Sequence, residues 1–164
     1  MKKTILFFML LGSVQATLAQ LQVKSTCPPI EVDIMNGKVN GDVKASFIVA
    51  EIKARIPCFT SFEEETTTTK CGGGVYYKDK DISFYTERDY IEIGPKFKGK
   101  LSMPVMGALR GGMFKWFGNP AMKDANWDAF QMSYGTLILY YNAAKKVNKI
   151  LLSTRGTDTI KLCE

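Results

Sequence analysis

The sequence predicts an α+β fold, in which a mainly antiparallel β-sheet carries two or three short helices on one face. Two pairs of hydrophobic segments, within 81–93 and 135–152, are joined by polar turns, which is the pattern of β-hairpins. The stretches 42–56, 105–117 and 121–132 have the length or the apolar spacing of helices. Hairpins together with a few short helices indicate this class.

The central element of the predicted sheet is the hairpin made of 135–141, the turn 142–146 and the second arm 147–152. Its first arm is apolar at both alternating positions, so both of its faces should be covered, as in a middle strand. The turn contains Lys145 and Lys146 and should lie in water, and the second arm returns to β-forming residues. We therefore expect this hairpin in the middle of one sheet.

Residues 1–19 have the features of a secretory signal peptide. Lys2 and Lys3 precede the apolar segment 5–11, and small residues follow it. This segment is much shorter than the roughly 20 residues that span a bilayer, so a membrane anchor is the less favoured interpretation. We expect one mature domain at 20–164, exported to the periplasm or the medium, with no transmembrane segment.

The mature chain should carry a mild positive charge. The full sequence has a formal charge of +6, from which removal of the leader takes two lysines. A lysine-dotted surface accounts for this charge, and the sequence lacks a Lys/Arg stripe of the kind that binds nucleic acid. A glycan, an acidic protein or a membrane surface stays open as an anionic partner.

All four cysteines lie in the predicted mature chain, and an even number in an exported protein predicts two disulfides. Three pairings are open. We favour Cys58 with Cys71, which closes the intervening loop, and Cys27 with Cys163, which joins the two ends. Because the sequence has no CxxC spacing, a redox or zinc role is not expected.

Residues 20–29 predict an extended arm, because the prolines at its end do not fit into a helix. A strand with one buried face is predicted at 30–34, where apolar and acidic residues alternate, and Asn36-Gly37 closes it with a turn. Residues 42–56 predict a helix that Pro57 stops, with strand alternation as the rival interpretation.

The next segment, 59–70, holds Glu63-Glu64-Glu65 and four threonines. A calcium site is the less favoured interpretation, because the run has no turn residues that would make its oxygens converge. A solvated hairpin edge fits better. A second hairpin follows at 81–85 and 90–93, and 101–103 predicts a strand that Pro104 ends.

Three further segments are predicted towards the C-terminus. Three glycines make 105–117 a poor helix, which would depend on packing. Asn119-Pro120 resembles a helix start, so 121–132 predicts a short helix that faces the sheet with its methionines and alanines. Alternation at 157–163 predicts a final strand.

The two halves of the chain follow one order, which suggests degenerate helix-plus-hairpin repeats. Each has an apolar segment that ends in proline (Pro57, Pro120), then a polar link, a hydrophobic-aromatic strand, a charged turn and an apolar strand. The links differ in length. The order therefore predicts an approximate duplication.

The second half also resembles the exported modules grouped with the SmpA/OmlA outer-membrane assembly lipoproteins and the β-lactamase inhibitor proteins. The likeness covers 106–152. Phe117-Gly118-Asn119-Pro120 is similar to their Leu/Phe-Gly-x-Pro corner after a helix, and 135–150 is similar to their strands, although the lipid-acceptor cysteine is missing. The resemblance implies a non-catalytic module that presents a sheet face or loops to another protein.

Catalysis is the minority interpretation, because the chain has no histidine and therefore lacks the commonest general base and zinc ligand. Paired carboxylates remain as catalytic candidates. Glu87, Asp89 and Glu92 lie in or beside a turn, and Asp124 and Asp128 would share a helix face. We interpret both sets as solvated surface and expect no cofactor and no metal.

Large rings and basic groups concentrate in one part of the sequence. If these side chains are exposed, they form a binding surface or a stacking platform for sugars, since Trp, Tyr and Arg dominate interfaces. If they are buried, they are the core beneath the sheet, which is the favoured interpretation. The candidates are Arg110, Phe114, Lys115, Trp116, Phe117 and Trp127.

The sequence thus predicts an exported, non-catalytic binding or inhibitor/immunity-type protein that acts by surface complementarity to a protein partner. A binder of small ligands or glycans that uses the aromatic and basic residues is the first alternative. A carboxylate-dependent hydrolase is the second.

Overall fold

The computed structural model describes residues 27–66 and 71–163, which form two β-sheets and two short helices. The predicted signal peptide and most of the predicted arm at 20–29 lie outside the described residues, as does most of the threonine run. The elements are β1 (Glu31–Asp33), β2 (Lys38–Val39), β3 (Val43–Lys44), α1 (Val49–Arg55), β4 (Ser61–Glu63), β5 (Gly74–Tyr77), β6 (Ile82–Tyr85), β7 (Tyr90–Ile93), β8 (Lys100–Leu101), α2 (Phe114–Phe117), β9 (Met122–Lys123), β10 (Trp127–Met132), β11 (Gly135–Tyr141) and β12 (Val147–Ser153).

The large sheet has eight antiparallel strands in the order β4-β5-β6-β7-β12-β11-β10-β9. It consists of two four-stranded meanders whose last strands, β7 and β12, pair with each other in the middle. A short helix precedes each meander, α1 before β4 and α2 before β9. The α+β class is confirmed, and the repeated unit is one helix followed by four strands.

The predicted central hairpin is confirmed as β11 and β12. Each of its strands has a neighbour on both sides, and the pairs Leu137–Leu152 and Leu139–Ile150 lie in the core. The predicted hairpin at 81–93 is also confirmed, as β6 and β7. Both hairpins were recognised because their apolar arms are separated by short polar turns.

The small sheet, in the order β3-β2-β1-β8, covers one face of the large sheet. Its first strand buries Ile30, Val32 and Ile34, as the alternation predicts. The turn at Gly37 has φ +62°, and a Cβ there would lie 2.5 Å from the Tyr134 ring. The Tyr134 hydroxyl donates to the Ile34 carbonyl over 3.1 Å, so this contact ties the small sheet to the β10–β11 turn.

The helix predicted at 42–56 is correct only in its second half. Val43 pairs with Val39 in the small sheet, and helix α1 begins six residues later, at Val49. Its first amides are capped by carboxylates, because Glu51 accepts from the Ile48 N–H over 3.1 Å and Glu65 accepts from the Val49 N–H over 2.6 Å. Residues before this cap are held by the strand ladder instead.

The helix predicted at 121–132 is wrong, because this stretch forms β9 and β10. Six residues of β10 pair with β11, from Trp127 with Tyr140 to Met132 with Gly135. A complete ladder along a buried strand outweighs the weak local preference that Asn119-Pro120 indicated. The stretch 105–117, a poor helix as predicted, is helical only in α2 and in one 3₁₀ turn at Arg110–Gly112.

The strand predicted at 157–163 is wrong as well. Strand β12, which precedes this segment, lies between β7 and β11, so the chain leaves the sheet where no edge is open for another strand. The N–H groups of Thr159 and Ile160 both donate to the Gly156 carbonyl and form a turn. Residues 154–163, which we name the C-terminal strap, then pass over the second face of the large sheet.

The structure has two disulfides, as the number of cysteines predicts, but the favoured pairing is wrong. Cys27 is bonded to Cys58, and Cys71 is bonded to Cys163. The β4–β5 hairpin pairs Ser61 with Tyr76 and Glu63 with Gly74, so Cys58 and Cys71 lie beyond its opposite ends. Two disulfides are typical of proteins from an oxidising compartment. Within 27–66 and 71–163, helices are too short and too polar to cross a membrane.

Candidate functional site

The two faces of the large sheet differ in what covers them. One face packs against the small sheet, α1 and the segment that contains α2, and it forms the main core. Among residues 27–66 and 71–163, the C-terminal strap is what covers the other face, and it lies on a smaller cluster around Tyr90, Ala129, Ile138 and Leu151. Several side chains of this second face keep contact with water beside the strap.

A row of aromatic and charged side chains crosses the second face, and we name it the aromatic strip. All of its members are half-buried, with one part packed on the sheet and the other in contact with water. Its members are Tyr76, Tyr85, Glu92, Lys149, Tyr140 and Trp127. They come from six different strands, so the sheet fixes their spacing rather than any loop.

Neighbouring members of the strip interact with one another from strand to strand. The rings of Tyr76 and Tyr85 meet edge to face with 5.8 Å between centroids. In the middle, the Lys149 ammonium lies 3.6 Å from the Glu92 carboxylate and 4.3 Å from the centroid of the Tyr140 ring. Trp127 is the cross-strand neighbour of Tyr140. One opposite-charge pair is thus flanked by aromatic rings on both sides.

Burial and nearby carboxylates raise the pKa values of Tyr76 and Tyr85. Burial raises the pKa of Tyr85 to about 12, and the Glu92 carboxylate adds to this rise. The pKa of Tyr76 is also raised, first by burial and then by the Glu63 carboxylate, which accepts its hydrogen bond. At neutral pH these tyrosines are uncharged hydrogen-bonding groups with large apolar rings.

The C-terminal strap is fixed at both ends. At its start, the Arg155 guanidinium lies 2.7 Å from the Asp89 carboxylate. At its end, Cys163 is bonded to Cys71, and the Cys163 N–H donates to the Tyr90 hydroxyl over 3.3 Å. The strap therefore covers Tyr90, which is 2% exposed, and leaves the aromatic strip in contact with water.

A cavity of about 330 Å³ lies between the strap and the Trp127 end of the strip. Its lining is apolar or aromatic apart from one threonine. The lining residues are Met122, Trp127, Ala129, Ile138, Tyr140, Thr157, Ile160 and Leu162. Its rings and aliphatic side chains suit contact with an uncharged side chain or a small uncharged ligand.

The structure does not bring the six predicted site residues into one patch. Phe114 and Trp116 are 54% and 38% exposed, with exposed Lys115 between them on α2. Phe117 packs on Phe130 in the main core, with 5.4 Å between ring centroids. Trp127 lies on the second face of the sheet, away from the α2 residues.

Arg110, the remaining candidate, is part of a polar network at the end of β10. Its guanidinium contacts both carboxylate oxygens of Asp128, at 2.9 and 2.5 Å, and the Tyr141 hydroxyl donates to the same carboxylate over 2.9 Å. It also donates to the carbonyls of Asp124 and Ala125. Because Asp128 is 3% exposed, the network holds the segment before α2 onto the β9–β10 turn.

Most of the carboxylates considered for catalysis have partners elsewhere in the fold. Asp124 and Asp128 do not share a helix face, because β9 and β10 replace the predicted helix. Asp89 is paired with Arg155 and Glu92 with Lys149. Across 27–66 and 71–163, the acidic and sulfur-bearing side chains form no cluster that could hold a metal ion.

Sequence reasoning missed most of the aromatic strip, although a signal was present. On β6, Ile82 faces the main core and Tyr85 lies on the second face. On β11, Leu137 and Leu139 face the main core, and Tyr140 lies on the second face beside Ile138. A tyrosine on the second face of a central strand interrupts an otherwise apolar sequence and indicates that this face is in contact with water. The order of the strands, which the sequence does not reveal, is needed to see that these rings line up.

Comparison of the chain with known protein families, with curated proteins and with solved structures gives no match. The candidate site therefore has to be judged on its own geometry.

Buried tyrosines should make the fold sensitive to alkali. Burial raises the pKa values of Tyr77, Tyr90 and Tyr141, whereas a tyrosine of the unfolded chain titrates near pH 10. Below pH 10 the free energy of unfolding keeps its full value. Above pH 10 the unfolded chain loses protons that the folded chain keeps, so this free energy falls by up to about 1.4 kcal/mol per pH unit for each phenol. Phenolate absorbance should rise together with loss of the circular dichroism signal. Ionisation of all seven tyrosines at pH 10 in a still folded chain would contradict this.

Proposed function

We propose that this chain is an exported, non-catalytic binding protein of the inhibitor or immunity type, which holds a partner protein against its aromatic strip. The observation that carries the proposal is the continuous row of half-buried tyrosines and a tryptophan around one ion pair, on the sheet face opposite the main core. The resemblance to modules that present a sheet face or loops to another protein supports the same role.

The chemistry of the strip favours a protein partner. Tyrosine and tryptophan supply large contact areas at little cost in side-chain entropy, and they dominate the binding energy of protein interfaces. The strip is positioned by six strands of one sheet, so it is rigid before binding and loses little freedom in the complex. The Glu92–Lys149 pair at its centre can orient the partner through complementary charges.

The cavity beside Trp127 provides a place for an anchor. Binding hot spots are often bulky side chains that fill a well-packed pocket of the partner. Met122, 46% exposed, forms an adaptable wall of this cavity. A partner with one protruding aromatic or aliphatic side chain would fit it.

The proposal is tested by retention of proteins from the envelope fraction and the medium on the immobilised chain. The variant Tyr140→Ala should weaken binding of the retained partner by at least about 30-fold, which corresponds to the roughly 2 kcal/mol of a hot spot. Phe114→Ala, an exposed aromatic change on α2, is the matched control and should retain the partner. Equal binding by Tyr140→Ala and the wild type, with the fold verified by melting temperature, would contradict the proposal.

A second candidate function rests on the cavity alone. Its aromatic walls, Trp127 and Tyr140, could stack on a sugar or an uncharged ring. In that case a glycan array or a ligand-induced rise in melting temperature should identify a small ligand, and Glu92→Lys at the middle of the strip should leave its affinity unchanged. The protein-binding role instead requires that Glu92→Lys weaken the complex.

A further inference from the structure

Three large apolar side chains are exposed close together on the part of the molecule that surrounds α2. Leu109, Phe114 and Trp116 are 60%, 54% and 38% exposed. Exposed apolar residues that stand singly need no explanation, but a group of them on one small region indicates an interaction site. We name this region, together with the neighbouring lysines, the cationic corner.

The fold brings lysines from three separate segments to this corner. Phe114, Lys123 and Lys145 line one open cavity of about 420 Å³. Leu109 forms a single antiparallel bridge with Lys146 in the turn between β11 and β12. Residues 142–146 are all exposed, so the turn presents both of its lysines at the surface.

Helix α2 presents its apolar residues around a charge. Met113, just before the helix, is 1% exposed, and Phe117 at its end packs on the core, so this side faces inwards. At 100° per residue, Lys115 then points away from the core, with Phe114 and Trp116 on its two flanks. The exposed surface of the helix is therefore a lysine between two aromatic rings.

The exposed charges of the corner are mainly positive. One exposed carboxylate, that of Asp124, stands beside four exposed lysines, Lys115, Lys123, Lys145 and Lys146. The buried Asp128 carboxylate is already balanced by the Arg110 guanidinium. Exposed rings interspersed with lysines match the boundary between anionic headgroups and acyl chains.

We propose that the cationic corner docks the protein on the surface of a membrane that contains anionic phospholipid. Phe114, Trp116 and Leu109 enter the boundary between headgroups and acyl chains, while the lysines bind the phosphate groups. A lipid surface fits better than a folded protein, because a lysine stands between the exposed rings and interrupts the apolar surface. The aromatic strip lies on the opposite face of the sheet, so membrane and partner can be bound together.

Vesicles test the proposal with Trp116 as the reporter. In the variant Trp127→Phe, Trp116 is the one remaining tryptophan. Its emission should shift to shorter wavelength with vesicles of phosphatidylcholine and phosphatidylglycerol at about 3:1, and should stay unchanged with phosphatidylcholine alone. Raising the salt concentration should weaken binding, because the charges are exposed.

Substitutions of single lysines test whether the cationic corner is the part of the protein that binds the vesicles. Lys115→Gln and Lys123→Gln should each lower the vesicle partition coefficient about fivefold, the effect of roughly one basic residue near an anionic surface. Lys78→Gln, an exposed lysine on the turn after β5, is the matched charge control. Ile48→Ser, at a side chain 51% exposed beside α1, is the matched apolar control for Phe114→Ser.

Three outcomes would overturn the proposal: no spectral shift with the anionic vesicles, equal shifts with both vesicle types, or equal losses in the corner variants and their controls. Corner variants that lose a protein partner while vesicle binding is unchanged would assign the corner to a protein interface and also overturn it. Melting temperatures close to that of the wild type verify that each variant folds. Vesicle binding is measured without the partner, so its result is independent of the function proposed for the strip.

Discussion

Removal of the Cys71–Cys163 disulfide by the double variant Cys71→Ser, Cys163→Ser is expected to lower the free energy of unfolding by about 4–5 kcal/mol. The bond joins residues separated by 92 positions and therefore strongly restricts the unfolded chain. Removal of Cys27–Cys58, with a separation of 31, should cost less, about 3.5 kcal/mol. Urea unfolding of both double variants under non-reducing conditions measures the difference.

Loss of the same bond should also free the C-terminal strap. Ile160 and Leu162 hold the strap to the sheet by packing, and Cys163 is its covalent end. Trypsin should then cleave after Lys161 and Arg155 faster than in the wild type, whereas the variant without Cys27–Cys58 should keep the strap protected. Equal cleavage in the two variants would mean that the bond does not position the strap.

Replacement of Arg110 by leucine should cost about 3 kcal/mol of stability. The change leaves the Asp128 carboxylate, 3% exposed, with the Tyr141 hydroxyl but without a counter-charge. Removing one partner of a buried ion pair costs roughly 3–5 kcal/mol. The lower end of this range applies here, because the Arg110 side chain is 21% exposed. Thermal and urea unfolding measure the loss.

Two further variants make this result specific. Lys115→Leu removes an exposed cation from the same region and should change stability by less than about 0.5 kcal/mol. The double variant Arg110→Leu, Asp128→Leu removes both charges and should recover much of the loss, since a hydrophobic pair can replace a buried ion pair. If Arg110→Leu were no more costly than Lys115→Leu, the network would not be structural.

Much of the sheet could be predicted from local patterns. The two central hairpins and the strand around Val32 have apolar spacing and turns that agree with their final environment. The prediction was wrong at 121–132, where pairing with β11 decided the structure, and at the N-terminal half of 42–56, where pairing with β2 did. Long-range pairing overrides a weak local preference, and one sequence does not show it.

The candidate site was less predictable than the fold. The favoured disulfide pairing rested on nearness in sequence, whereas Cys58 and Cys71 lie beyond opposite ends of one hairpin. The predicted binding residues are a local concentration of aromatic side chains in the sequence, and the sheet divides them between its two faces. The aromatic strip draws one residue from each of six strands, so only the strand order reveals it.

The claim that the aromatic strip is the binding face is tested most directly by nitration of tyrosines with and without the retained partner. Tyr134 is half-buried on the other side of the sheet, against Gly37, and serves as the internal reference. We predict that Tyr76, Tyr85 and Tyr140 are protected in the complex while the nitration of Tyr134 is unchanged. Protection of Tyr134 alone, or unchanged nitration of all three strip tyrosines in a stoichiometric complex, would contradict the account.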